Sequence, residues 1–281
     1  MISRRALLTT TGALAGGLAA STLMGCSGAV NIPRPTASPT GAIKDQLDQV
    51  LTTIANGSTN FGVYVEDVRT GGTYSFNGDY ASQSASMAKP MIVSMAMRKA
   101  GGPLTGDNAT NATRAIENSD NDAASALWAF AGYQTYQTLA DDLKMTHTHL
   151  DEAKSDQWSW TWTTPGDQVL LVRTLSTGGS SALTDDECAY LWNLMGQVEQ
   201  DQTWGVGQPK SSSVNVHLKN GWVQFKSTDG LWAVNSMGAV EGDGRHYRLC
   251  VMTRVPDFDT GRAVTSEVGT WVFSILGSGT L

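Results

Sequence analysis

Ser86-Met87-Ala88-Lys89-Pro90-Met91-Ile92-Val93-Ser94-Met95-Ala96-Met97-Arg98-Lys99 reads as one helix. Met87, Met91, Val93, Met95 and Met97 supply its apolar surface. Pro90 falls in the first turn, where a missing N–H is tolerated. The stretch opens on a serine with a lysine three residues later. That spacing puts Ser86 Oγ and Lys89 Nζ on one helical face. A serine is a weak nucleophile until a base takes its proton, and burial can turn a lysine into that base. The helix N-terminus adds free backbone N–H groups for a developing oxyanion. A capping serine and a solvated lysine would read the same, so the setting must decide.

Two further motifs follow in order. Ser119-Asp120-Asn121 offers a hydroxyl to pass a proton and an amide to hold a substrate; the same cluster is also a good helix N-cap. Lys219-Asn220-Gly221 places a cation beside an open strand backbone. Ser58-Thr59-Asn60, Ser75-Phe76-Asn77, Ser213-Val214-Asn215 and Lys99-Ala100-Gly101 match the second or third pattern too, but lack the order or the structural context. Order and local structure single out the three.

The elements around them have a definite sequence. Apolar residues at Ile43, Leu47, Val50, Leu51 and Ile54 predict a helix over 43–55. Phe61–Asp67 and Thr73–Phe76 read as strands around Gly71-Gly72. A loop is expected over 101–111 and a short helix over 113–118, delivering Ser119. Helices follow over 122–131, 133–143, 164–175 and 185–200. From Val214 the period becomes strand-like, with strands 214–223, 231–240 and 247–255, then a helix over 263–276. Two strands, a helical insert and three strands predict an α+β fold: a five-stranded antiparallel sheet built from both chain ends, flanked by helices, with a helical lobe between.

With this order, the S-x-x-K, S-D-N and K-x-G set resembles the class A β-lactamase and penicillin-binding-protein superfamily of serine hydrolases, in particular its short, lipid-anchored members. The resemblance spans about 43–281. It divides the domain into a sheet lobe (43–80 and 206–281) and a reduced helical lobe (81–205). It implies an acyl-enzyme formed at Ser86, with Lys89 as base, Ser119 linking that pair to the leaving nitrogen, and Lys219 supporting Ser119 and attracting a substrate carboxylate. It assigns Asn121 and Asn220 to the substrate, keeps Gly221 open for backbone pairing, and makes the N–H of Trp222 an oxyanion donor beside that of Ser86. His217 shares the strand face of Lys219 and reads as a structural histidine.

Three departures bear on activity. Asn220 replaces the usual Ser or Thr. The interval from Ser86 to Ser119 is short, which opens the lobe over the site. The loop glutamate that activates the deacylating water has no counterpart in register: Lys154 takes its place, and Glu152, offset by two, is the candidate substitute. A slowly deacylating hydrolase or acyltransferase for β-lactam or peptidoglycan-like peptide is therefore expected. The alternative is a degenerate module that binds cell-wall fragments or a protein partner without turnover. Trp158, Trp160 and Trp162 read either as an aromatic platform or as packing that closes a short loop.

The N-terminal segment reads as a leader. Ser3-Arg4-Arg5-Ala6-Leu7-Leu8 gives a twin-arginine start, an apolar run follows, and Leu23-Met24-Gly25-Cys26 resembles a lipobox. The expectation is a signal peptide over 1–25, lipidation at Cys26, a Pro/Ser/Thr-rich flexible tether over 26–42, and a cell-envelope protein anchored on the outer face of the cytoplasmic membrane. A plain signal peptide or a retained anchor are the alternatives. The 281-residue chain has a net charge of -7, which argues against nucleic acid and against a polybasic membrane patch. Cys188 and Cys250 could pair or stay separate buried thiols. Four histidines, with His147-Thr148-His149 unsupported by other ligands, give no metal site, and no cofactor is expected.

Overall fold

The computed structural model describes residues 30–56, 60–208, 211–225 and 229–281. The expected leader and Cys26 lie outside the described residues.

The apolar periodicity of 43–55 forms helix α1 (Ile43–Ala55), which buries Leu47, Val50, Leu51 and Ile54. Strands β1 (Phe61–Asp67) and β2 (Gly72–Phe76) follow it. Three long strands come from the other end of the chain: β5 (Val214–Gln224), β6 (Trp232–Gly242) and β7 (Arg245–Val255), before helix α8 (Phe258–Leu276). They form one antiparallel sheet in the order β2-β1-β7-β6-β5. Pairing of β1 with β7, Phe61 opposite Thr253 through Asp67 opposite Tyr247, joins the two chain ends.

Side-chain alternation sorts the sheet into two cores. On β7, Leu249 and Val251 face α1 and α8, whereas Cys250 and Met252 face the helical lobe. Both faces are covered, so β7 reads as a nearly unbroken apolar run. Strand β5 is left as an edge, and it carries Lys219, Asn220 and Gly221.

The helical lobe follows a two-residue strand β3 (Ser82–Gln83) and a 3-10 turn at Ala85–Ala88. Its helices are α2 (Lys89–Ala100), α3 (Gly106–Glu117), α4 (Asn121–Ala131), α5 (Thr135–Asp142), α6 (Pro165–Thr177) and α7 (Asp185–Met195). Every residue of α2 from Lys89 to Met97 is buried. A helix apolar on all sides has to be enclosed, and α2 is the axis around which the lobe packs. Strand β4 (Trp162–Thr163) pairs with β3 and closes the loop that precedes α6.

Several boundaries differ from the sequence reading. The loop expected over 101–111 is largely helical, because α3 begins at Gly106. Only Ala112, Ala115 and Ile116 of α3 are buried, so its polar first half shows no apolar period. Helix α7 stops at Met195, with Gly196 as its cap, instead of reaching residue 200. Helix α8 starts five residues early, where the Asp257 carboxylate accepts from the N–H of Thr260 at 2.7 Å. Within the segment expected as a tether, Ile32 packs against the α1/α8 core, and Arg34 donates to Glu267 at 2.7 Å. Cys188 and Cys250 are separate buried thiols, and burial pushes both thiol pKa values up.

Candidate active site

Ser86 sits on the 3-10 turn and not within α2 itself. A 3-10 turn brings residues i and i+3 into line, and Lys89 follows the turn as the first residue of α2. The turn is fastened on two sides. Ser84 N–H donates to the Thr161 carbonyl at 2.8 Å, and the Ser84 and Thr161 hydroxyls meet at 2.5 Å. On the sheet, the Asn235 amide donates to the Gln83 carbonyl at 3.0 Å and accepts from the Thr253 N–H at 3.1 Å. Ala85, just before Ser86, has φ 50°, a left-handed conformation that costs a non-glycine residue about 1–3 kcal/mol. The chain turns there directly before Ser86.

Edge strand β5 presses against this turn at Gly221. A β-carbon at 221 would lie 2.7 Å from the Ser86 nitrogen, 2.6 Å from the Met87 nitrogen and 2.9 Å from the Ser84 carbonyl oxygen. Those neighbours are backbone atoms held by the bonds above and have little room to move. Glycine is required here by close approach, since its φ is not positive.

Ser119 is a second non-glycine residue in the left-handed region, at φ 57°. Asp120 caps α4 by accepting from the Ala123 N–H at 2.9 Å, and Arg114 pairs with the same carboxyl group. Upstream, Gln202 donates to the Asn118 carbonyl at 3.1 Å. These restraints aim the Ser119 hydroxyl between two ammonium groups. Lys89 Nζ donates to Ser119 Oγ at 3.1 Å, to the Ser119 carbonyl at 2.5 Å and to Asn121 Oδ1 at 2.8 Å. Lys219 Nζ donates to Ser119 Oγ at 2.9 Å and to the Asn220 carbonyl at 3.1 Å. Ser119 thus accepts from both lysines and keeps its own proton to give away.

Both lysines are fully buried. Burial disfavours the charged form and brings Lys89 down to about 7, with Asp120 opposing slightly. Lys219 is also lowered well below its usual range, first by burial and then by the charge of Lys89. The Ser86 hydroxyl has no hydrogen-bond partner among the described residues, and Lys89 reaches Ser119 and Asn121 instead.

Ser86, Ser119, Asn121, Asp156, Trp158 and Trp222 line one cleft of about 550 Å³. The three tryptophans of the loop divide between the two readings. Trp158 forms a cleft wall, its ring centroid 5.0 Å from Lys89 Nζ. Trp160 packs edge-on against Phe225 under the Lys154 ammonium, and Trp162 stacks on His149. Ser125 and Trp128 also line the cleft, unforeseen from the sequence. Their positions four and seven residues after Asn121 on α4 put them on the same helical face, a usable signal.

Two expected site residues lie elsewhere. Asn220 is fully buried, and its amide nitrogen donates to the carbonyls of Gln202 at 2.7 Å and Trp204 at 3.2 Å. Both amide hydrogens are used inside the protein, so Asn220 has none left for a substrate. Glu152 is exposed on a 3-10 turn and does not line the cleft; Asp156 is the carboxylate that does. His217 points away too, its Nδ1–H donating to the Trp192 carbonyl at 2.8 Å and its ring stacking on that indole at 4.1 Å.

This fold and serine–lysine site define a β-lactamase-like serine hydrolase architecture. Residues 107–276 match a model described as "Beta-lactamase2: Beta-lactamase enzyme family", more than half of the chain, and the protein belongs to that family. No curated protein matches the sequence. Among solved structures, a class A β-lactamase from Bacteroides cellulosilyticus DSM 14838 superposes with a TM-score of 0.70 at 16% identity, covering 85% of this chain and 100% of the other. The TLA-1 extended-spectrum β-lactamase gives 0.72 at 16% identity, covering 84% and 100%. A β-lactamase from Sphaerobacter thermophilus DSM 20745 gives 0.65 at 18% identity, covering 80% and 95%. At these identities the likeness concerns the fold.

Proposed function

We propose that the protein is an acyl-transferring serine hydrolase that forms an acyl-enzyme at Ser86 with β-lactam or peptidoglycan-peptide-like substrates. One observation carries this reading: the Ser119 hydroxyl bridges two buried lysines in the cleft that Ser86 lines. Neutral Lys89 takes the Ser86 proton, Ser86 Oγ attacks the amide or ester carbonyl, and the oxyanion forms beside the turn. Ser119 then passes a proton to the leaving nitrogen and is recharged by the lysines. The backbone N–H groups of Ser86 and Trp222 are the oxyanion donors in this scheme. Lys154 stands in the register of the water-activating glutamate and Asp156 is the one carboxylate among the described cleft-lining residues, so the acyl-enzyme is expected to persist for minutes. Ser119→Ala is expected to slow acylation by a fluorescent penicillin about 10²-fold. A change of less than threefold would remove Ser119 from the proton path.

The same proposal includes export and a lipid on Cys26, holding the domain on the outer face of the cytoplasmic membrane. The support is the Leu23-Met24-Gly25-Cys26 sequence behind an apolar run. Cys26→Ala is expected to move the protein from the membrane to the soluble fraction after export. Continued sedimentation with membranes would argue for another anchor.

A further inference from the structure

The third motif is where a carboxylate of the substrate would be bound, and here its chemistry is used up internally. Asn220 spends both amide hydrogens on the carbonyls of Gln202 and Trp204. Lys219 is enclosed, its ammonium bonded to Ser119 Oγ and the Asn220 carbonyl. Among the described residues lining the cleft none is cationic, and Asp156 adds a negative charge to the rim. A substrate carboxylate brought here would meet only neutral donors such as Ser119, Asn121 and Gln157, and no cation to offset its lost hydration.

The cleft offers aromatic surface instead. Trp222 follows Gly221 on β5 and, at 36% exposure, is one of the few large apolar side chains left open to solvent among the described residues. Its ring is held by Trp204 and Phe258 at centroid distances of 6.1 and 5.3 Å. Trp158 forms part of the same lining, fixed by a bond from its indole N–H to Ser125 Oγ at 3.2 Å. Both indoles are preorganised, so a flat apolar group can stack without ordering them first.

We propose that the cleft selects acyl donors by a flat aromatic or apolar group against Trp158 and Trp222, and is indifferent to a carboxylate beside the scissile bond. This rests on the acyl-enzyme reading above. The direct test uses the wild-type chain with benzylpenicillin and its methyl ester, following acylation by intact mass, with an alkyl fluorophosphonate as a probe for a reactive Ser86. The two penicillin forms are expected to acylate within threefold of each other. A free acid faster by tenfold or more overturns the proposal, as does reaction with the fluorophosphonate but with neither penicillin form. Loss of all three reactions would instead overturn the acyl-enzyme reading, and this proposal with it. In a second arm, p-nitrophenyl phenylacetate should acylate about tenfold faster than p-nitrophenyl acetate, the size of one good aromatic contact. That ratio should fall towards one in Trp222→Ala. Equal rates for the two esters in wild type would contradict the aromatic subsite.

Discussion

Gly221→Ala is expected to abolish acylation by a fluorescent penicillin, with a loss of about 10³-fold or more in rate. The reason is steric and local. The new β-carbon would stand 2.7 Å from the Ser86 nitrogen and 2.6 Å from the Met87 nitrogen, well inside contact distance. Either β5 must withdraw or the Ser84–Met87 turn must be pushed back. Withdrawal moves the Trp222 N–H away from the oxyanion position; displacement moves Ser86 itself. Donors to an oxyanion act only at short range, and losing one costs about 10²–10³ in rate. Overpacking of this kind also destabilises by about 1–3 kcal/mol, which urea unfolding would register. A variant that folds normally and acylates at the wild-type rate would mean that β5 does not border the reacting atoms.

The second large effect concerns Lys89. Its burial brings the ammonium from 10.5 down to about 7. A general base must be neutral, so the acylation rate should rise about tenfold per pH unit below that midpoint and level off above it. Ser119 Oγ stands between Lys89 and Lys219, and two ammonium groups on one hydroxyl repel each other, which favours a neutral partner. Lys89→Ala should therefore slow acylation by about 10²-fold or more and remove the rising limb. Stopped-flow acylation across about pH 5 to 9 measures both. A flat profile in wild type would place the base elsewhere. The same burial fixes a sign for stability. The unfolded lysine holds its proton up to about 10.5, whereas the folded one releases it near 7. Between those values the unfolded state binds more protons, so this group makes stability rise with pH across that window.

The two ends of the chain were legible because their physics is periodic. Residues 43–55 repeat apolar positions every three to four residues, and β7 alternates between two cores. The three motifs were legible because serine, lysine and asparagine at short spacings have few other reasons to recur in that order. What stayed hidden depends on distant packing. Strand alternation alone does not reveal that the Asn220 amide would be consumed by the 202–204 backbone, because that segment is placed by bonds to Asn118 and Glu117. The β3–β4 pair has two residues per strand, too few for a period, yet it ties the Trp158 loop to the turn that carries Ser86. The first half of α3, 106–111, reads as loop because it carries no buried apolar residue.

Acylation at Ser86 Oγ is the step on which every proposed role depends, and intact-mass analysis with peptide mapping tests it most directly. Wild type and Ser86→Ala would be incubated with benzylpenicillin and sampled over time. Wild type should gain one penicillin mass per chain, carried on the peptide containing Ser86 and lasting for minutes, and the variant should gain none. An adduct of equal yield in Ser86→Ala, or a wild-type chain that never acquires one, would contradict it.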